Sequence, residues 1–361
     1  MVASAKLSPR LESENSTLIR VLVVDDSKIV RSIFSRVLQE SGEVLVVGEA
    51  ASTAEALATL QRDAADIILL DIEMPERSGL EALPDILDAA NGARVLVVSS
   101  FVEENGPAAI KALSLGACDT LAKPGRHGFS GKFSEILVEK VVRLGRTRKI
   151  RPAAQPKIKS AQYNRAEDGF PKPECIAIGA STGGIPVIYE IVQSLSPELD
   201  CPIFITQHLP HAFMEFFARQ LQAQTNRSVK VSSAGEIVRS GTIYISPGDA
   251  HLICRRNDSV VQIDHLADYP GSRYSPSVDA LLESVAATYG SSALAIILSG
   301  MGNDGSLGAL SLAGCNGRII VQDEESSVVW GMPGAIVRAG LADAIMPPAH
   351  LTRLLARLGR T

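Results

Sequence analysis

Four-residue runs that are apolar at every position punctuate the first part of this chain: VLVV at 21–24, VLVV at 44–47, IILL at 67–70 and VLVV at 95–98. A strand with one wet face alternates apolar and polar side chains. Strands apolar throughout must be covered on both faces, the condition of a parallel sheet between two layers of helices. Helical stretches separate the runs. In a helix after Ser27, Val30, Ile33, Phe34 and Val37 fall on one face, and a second helix passes through Leu57 and Leu60. With a last short strand around Leu121, residues 20–142 read as a doubly wound α/β domain.

The chain is 361 residues long, more than one core of about 100–200 residues accounts for, so a second domain is expected. Between 143 and 172 the composition turns basic, prolines enter and the apolar period stops, which marks a linker. A nucleic-acid arm is the rival reading, but only Tyr163 and Phe170 offer stacking surfaces there. From 173 to 361 a second α/β pattern follows, with strand-like CIAIGAS, PIFITQH, VKVSSA, TIYISP, HLICRR, ALAIILSG, RIIVQD and AIMP and a helix from 276 to 286 among the intervening segments. It predicts a mostly parallel sheet. A net charge of −5 disfavours a basic nucleic-acid groove, so no nucleic-acid partner is expected. No apolar run approaches the ~18 residues of a membrane helix, and the first twenty residues lack the apolar core of a secretory signal, so a cytoplasmic protein without membrane insertion is expected. Cys118, Cys175, Cys201, Cys254 and Cys315 are scattered, form no CxxC pair and read as free thiols.

Asp25 and Asp26 follow one buried run directly and Asp71 follows another, so a parallel sheet gathers all three at its carboxyl edge, where α/β ligands bind. Clustered carboxylates call for a hard divalent cation such as Mg2+. Ser99 ends the next strand and Lys123 the one after, adding a hydroxyl and an ammonium. The group suits phosphoryl transfer onto Asp71, with cation and Lys123 neutralising the equatorial oxygens. Asp25 taken alone is as well read as a turn or cap residue. In this order, VLVVDD, DIILLDIEMP, VLVVSS and LAKP resemble the receiver domain of response regulators. The resemblance implies a phosphoryl group accepted by Asp71 from a histidine kinase, with Asp25 and Asp26 supporting the metal. Two positions depart from the receiver pattern: Ser78 precedes Gly79, and Thr120 stands where a switching aromatic is usual.

In the second domain GASTGG, residues 179–184, follows a strand and precedes a helix. The pattern G-x-S-x-G projects a serine hydroxyl at a sharp strand-to-helix turn, although a glycine-rich turn there serves as readily to cradle a phosphate. PIFITQ runs into His208, a candidate general base at a neighbouring strand end, with His211 and His251 as rivals. ALAIILSGMGNDG places Asp304 in a glycine-rich loop after the most apolar strand, where Asn303-Asp304-Gly305 is on its own an ordinary turn.

GASTGG, QHLP, SPSVDALLESVA, LSGMGNDG and VVWGMPGAI together resemble the catalytic domain of the chemotaxis receptor methylesterases, the CheB family. A receiver joined by a linker to that domain is the family's arrangement. The resemblance implies a cofactor-free serine hydrolase acting on glutamate γ-methyl esters and glutamines of chemoreceptors, with Ser181 as nucleophile, His208 as base, Asp304 as orienting acid and the backbone near Thr182 and Met301 as oxyanion support. It implies a chemotaxis kinase as phosphodonor; a monomer is expected. The chain order Ser, His, Asp differs from that of α/β-hydrolases. A transcriptional regulator is disfavoured by the strand-rich second half, and a nucleotide-binding module by QHLP, which stands where an acidic ribose partner would be.

Overall fold

The computed structural model describes residues 18–99, 102–123, 131–147 and 170–358. The first domain is a five-stranded parallel sheet in the order β2-β1-β3-β4-β5. Its strands are β1 (Ile19–Val24), β2 (Val44–Ala50), β3 (Ile67–Asp71), β4 (Arg94–Ser99) and β5 (Asp119–Ala122). Every residue of β3 and β4 is buried, as expected of strands covered on both faces. The covering helices are α1 (Lys28–Glu40), α2 (Thr53–Arg62), α3 (Gly79–Ala89), α4 (Val102–Ser114) and α5 (Gly131–Arg146).

Ser27 caps α1 by accepting the Val30 N–H. Ser78 finds a local role: it caps α3 in a reciprocal capping box with Glu81. The expected domain limit at 142 falls inside a helix, because α5 continues to Arg146. Leu144 extends its apolar stripe into the core, and Gly145 lies so close to Ile19 that a Cβ would overlap it. The basic residues that suggested a linker belong there to the helix surface, with Arg143 paired to Glu139 and Arg146 to Glu43. Most of the remaining expected linker, 148–169, lies outside the described residues.

The second domain is a seven-stranded parallel sheet in the order β14-β13-β12-β6-β7-β9-β8. It comprises β6 (Cys175–Ala180), β7 (Ile203–Gln207), β8 (Ser228–Val231), β9 (Thr242–Ile245), β12 (Ala293–Ile297), β13 (Arg318–Gln322) and β14 (Ala344–Met346). HLICRR does not join it. It forms β10 (His251–Asn257), paired antiparallel with β11 (Val260–Leu266) in a separate hairpin. The helices are α6 (Ile185–Ser194), α7 (His211–Gln222), α8 (Val278–Tyr289), α9 (Ser306–Gly314), α10 (Met332–Arg338) and α11 (Pro348–Leu358).

The alternation of β6 sorts the core. Ile176, Ile178 and Ala180 pack with residues of α6 and α11, whereas Cys175 and Ala177 pack with α8 and α9. The sheet runs outwards from β6 through β7 on one side and through β12 on the other, so the carboxyl ends of β6 and β12 flank the point where strand order reverses and a crevice opens. The two domains touch: α4 lies on α7, where a Cβ on Gly106 would overlap the Phe216 ring and Gln220 Nε2 donates to the Pro107 carbonyl at 3.3 Å. No helix among the described residues is long and apolar enough to cross a membrane.

Candidate active site

Ser181 is the first residue past β6. Its N–H donates to the Ser299 carbonyl at 3.1 Å, and its own carbonyl accepts from Gly184 N–H and from Gln207 Nε2, each at 3.0 Å. Gly183 turns the chain at φ +79°, where a Cβ would overlap Val328, and Gly184 opens α6. The Ser299 hydroxyl donates to the Thr182 carbonyl at 2.8 Å, tying the turn to the end of β12. Neither the Thr182 N–H nor the Met301 N–H donates to any group among the described residues, so two backbone donors stand unspent beside Ser181 and in the loop after β12.

The register Ala180↔Gln207 and a bond from His208 N–H to the Ala180 carbonyl at 3.0 Å set His208 next to the serine turn. His208 Nε2 and Asp304 Oδ2 are 2.7 Å apart. With the carboxylate accepting from Nε2, Nδ1 carries the lone pair that can receive a serine proton. Ser181 Oγ makes no hydrogen bond to His208, whose side-chain partner is Asp304.

Asp304 is 3% exposed. Its Oδ1 accepts from the Ser277 hydroxyl and the Asp279 and Gly305 N–H groups, while Oδ2 also accepts from Val278 N–H. Burial alone would raise its carboxyl, but the bond to His208, that residue's charge and the amides outweigh burial and hold it below the ordinary carboxylate value. The rival histidines are otherwise engaged. His211 Nδ1 bonds the Pro247 carbonyl at 2.7 Å at the head of α7; His251 is buried, which lowers its pKa, and accepts from Ser277 N–H at 3.0 Å.

At the carboxyl edge of the first sheet, Asp25, Asp26 and Asp71 each offer an oxygen, all within 4.8 Å of one another. Lys123 Nζ stands 2.7 Å from both Asp25 Oδ2 and Asp71 Oδ2. Burial, helped by the Asp25 charge and opposed by Lys123, raises the Asp71 pKa to about 6. Burial works to lower Lys123, but its two carboxylate partners overcome this and raise it. Three carboxylates facing one ammonium leave surplus negative charge on hard oxygen donors, a set that fits a hard divalent cation. Ser99 is buried at the end of β4, and its carbonyl accepts the Lys123 N–H at 2.7 Å. Thr120 lies on β5 opposite Val97.

A family model described as CheB methylesterase matches residues 176–355, and one described as response regulator receiver domain matches residues 21–128. The chain is 38% identical over 346 residues to protein-glutamate methylesterase/protein-glutamine glutaminase 2 of Caulobacter vibrioides, covering 95% of this chain and 99% of that relative. The chain belongs to the CheB methylesterase family. The protein-glutamate methylesterase/protein-glutamine glutaminase of Trichodesmium erythraeum is 36% identical, with 94% of this chain and 99% of the other covered. The second domain of this chain resembles the crystal structure of the Thermotoga maritima CheB methylesterase catalytic domain, with a TM-score of 0.50 and 33% identity over 52% of this chain and 98% of that one.

In this CheB-family chain the receiver domain meets the methylesterase domain at the serine turn. The Cys118 carbonyl accepts the Gly183 N–H at 3.0 Å, and Asp119 Oδ2 accepts from the Thr182 hydroxyl at 2.7 Å and from Lys140 Nζ at 2.5 Å. Leu113, Cys118 and Asp119 line one small cavity together with Ser181, Thr182, Gln207 and His208. Met301 and Val328 pack against an apolar cluster that contains receiver residues Leu121 and Phe133. Sequence reasoning gathered Ser181, His208 and Asp304 but missed Ser277 and Asp279, which hold Asp304, and Tyr274, whose ring lies on His208. Ser277 and Asp279 lie in SPSVDALLESVA, a string that helps carry the family resemblance but in which only a helix-capping pattern has a physical reading of its own.

Proposed function

We propose that this chain is a phosphorylation-regulated serine hydrolase that demethylates glutamate γ-methyl esters on chemoreceptors and deamidates receptor glutamines in chemotactic adaptation. Ser181 Oγ attacks the γ-carbonyl while His208 Nδ1 takes its proton. The Thr182 and Met301 N–H groups receive the oxyanion. His208 returns the proton to the departing methanol or ammonia, leaving an acyl-Ser181; water, deprotonated by His208, then releases the carboxylate. Asp304 holds the imidazole tautomer and balances its charge. The observation that carries this reading is the 2.7 Å His208–Asp304 contact beside a serine turn flanked by two unspent backbone donors. The hydrolytic domain needs no cofactor in this scheme.

The receiver domain implies phosphorylation, and Asp71 is the acceptor we assign, served by a chemotaxis histidine kinase. Asp25, Asp26 and Asp71 would hold Mg2+, which when bound neutralises the incoming phosphoryl group. Ser99 and Lys123 meet the phosphoryl oxygens. Receiver contacts to Thr182 and Gly183 restrain the serine turn, and release follows if phosphorylation disfavours the docked arrangement. We assign residues 20–142 with the end of α5 to the receiver and 173–361 to the methylesterase domain, in a cytoplasmic monomer. The test is methanol release from methylated receptor membranes. Ser181→Ala should abolish it while leaving the thermal unfolding midpoint within a few degrees of the parent; release near the parental rate would refute the assignment.

A further inference from the structure

We propose that Tyr274 is a positioning residue for His208, an inference that rests on the hydrolase reading above. The two rings lie face to face, with centroids 4.7 Å apart and planes 8° from parallel. They come from different elements: His208 directly follows β7, whereas Tyr274 sits in the loop before α8.

His208 is pinned at one ring atom, Nε2, by Asp304. One hydrogen bond fixes a point and leaves the ring free to tilt about it, which would carry Nδ1 away from the serine. A flat side chain lying against the ring face removes that tilt. Offset or parallel contacts between aromatic rings are favourable in their own right, so the stack is a seat as well as a wall.

Tyr274 is itself well held. Its N–H donates to Ser272 Oγ at 3.1 Å and its carbonyl accepts from the same hydroxyl at 2.9 Å. Its phenol rests against Gly302, at φ +83°, where a Cβ would overlap the hydroxyl. Gly302 belongs to the loop carrying Met301 and Asp304. Three residues beyond Tyr274, Ser277 and then Val278 and Asp279 donate to Asp304. One loop therefore presents both the stacking ring and the donors of the acid, and the hydroxyl of Tyr274 points to the oxyanion loop while its face meets the base. The ring face, not the hydroxyl, does the positioning.

The test uses the full chain with Mg2+ and a small phosphodonor, and reads methanol release together with the rate of Ser181 modification by a fluorophosphonate probe. Tyr274→Phe keeps the ring face, and its kcat should stay within about 2-fold of the parent. Tyr274→Leu keeps apolar bulk without the flat face; kcat and the probe rate should both fall about 10-fold with KM unchanged. Tyr274→His, should the leucine variant unfold, supplies a second flat ring and should retain most of the activity. The proposal is overturned if Tyr274→Leu, folded, has the parental kcat, if Phe loses as much as Leu, if His falls well below the parent, or if the whole effect lies in KM. A parent chain that neither releases methanol nor reacts with the probe would instead refute the hydrolase reading.

Discussion

Asp279 and Asp304 exchange caps. Asp304, just before α9, accepts the first amides of α8, while Asp279, in the first turn of α8, accepts Gly308 N–H of α9 at 2.8 Å. The exchange locks the loop of the proposed acid between two helix N-termini and crowds two carboxyls. Burial, with Asp304 adding to it, raises the Asp279 pKa from 3.8 to about 6. A folded pKa above the unfolded one means that this group contributes stability below pH 3.8 that is lost as pH rises through about 6. Asp279→Asn does not titrate and keeps an acceptor for Gly308. Its stability relative to the parent should therefore improve between pH 5 and pH 7, by about 1 kcal/mol. Asp304, held low, titrates below that window. Urea melts at the two pH values decide it, and a difference that does not move with pH would sink the idea. At this scale the sequence was least legible: Asp304 looked like a turn residue because its five donors come from residues distant in sequence or hidden in the backbone.

Elements were legible wherever burial imposes a simple pattern. The all-apolar runs became β1 to β4, but β2 stands at the sheet edge and is only partly buried, with Leu45 exposed, so full cover on both faces does not hold there. The hairpin was not legible, because the first four residues of β10 are buried as completely as a central strand while its pairing is decided by β11, an only half-buried strand. The element that links the domains is β5. Asp119 at its start receives Thr182 and Lys140 on a single oxygen. Among the described residues, removing that carboxylate takes away one of the receiver's two polar ties to the serine turn, the Gly183–Cys118 bond remaining, and leaves the acidic cluster of the receiver untouched. Asp119→Ala should raise methanol release severalfold without phosphodonor and compress the activation that phosphodonor adds. An unchanged basal rate would mean that this contact does not restrain the enzyme. On the same strand, Thr120 offers far less surface than the 150–250 Å2 of an aromatic. Thr120→Ala should keep most of the phosphodonor response, Ser99→Ala should weaken it and Asp71→Asn should abolish it; comparing the three fold-activations tests the order.

The whole molecule is two parallel sheets whose apolar packing runs continuously from one domain to the other, joined through α4, β5 and α5 on one side and the serine turn, α7 and the Met301 loop on the other. Among the described residues, the acidic cluster that could hold a cation lies in the receiver. A fragment of residues 169–361 should therefore hydrolyse receptor esters in EDTA, and faster than the unphosphorylated full chain. Activity lost with the metal would expose a metallohydrolase. That two domains exist could be read from length and composition, but their mutual contact could not, since it is made by side chains and main-chain atoms that carry no periodic signal. The bond from Gly183 N–H to the Cys118 carbonyl has a consequence for mutation and descent. It joins main chain to main chain, so a side-chain replacement at 118 leaves its atoms in place, whereas at 183 the positive φ and the overlap that any Cβ would make with Val328 hold the position to glycine. Proline alone lacks the N–H, and proline cannot adopt the φ of +79° found at 183. Sequence drift can tune the Asp119–Thr182 contact beside it freely, while this one bond is inherited with the backbone and changes only when the loops themselves are rebuilt.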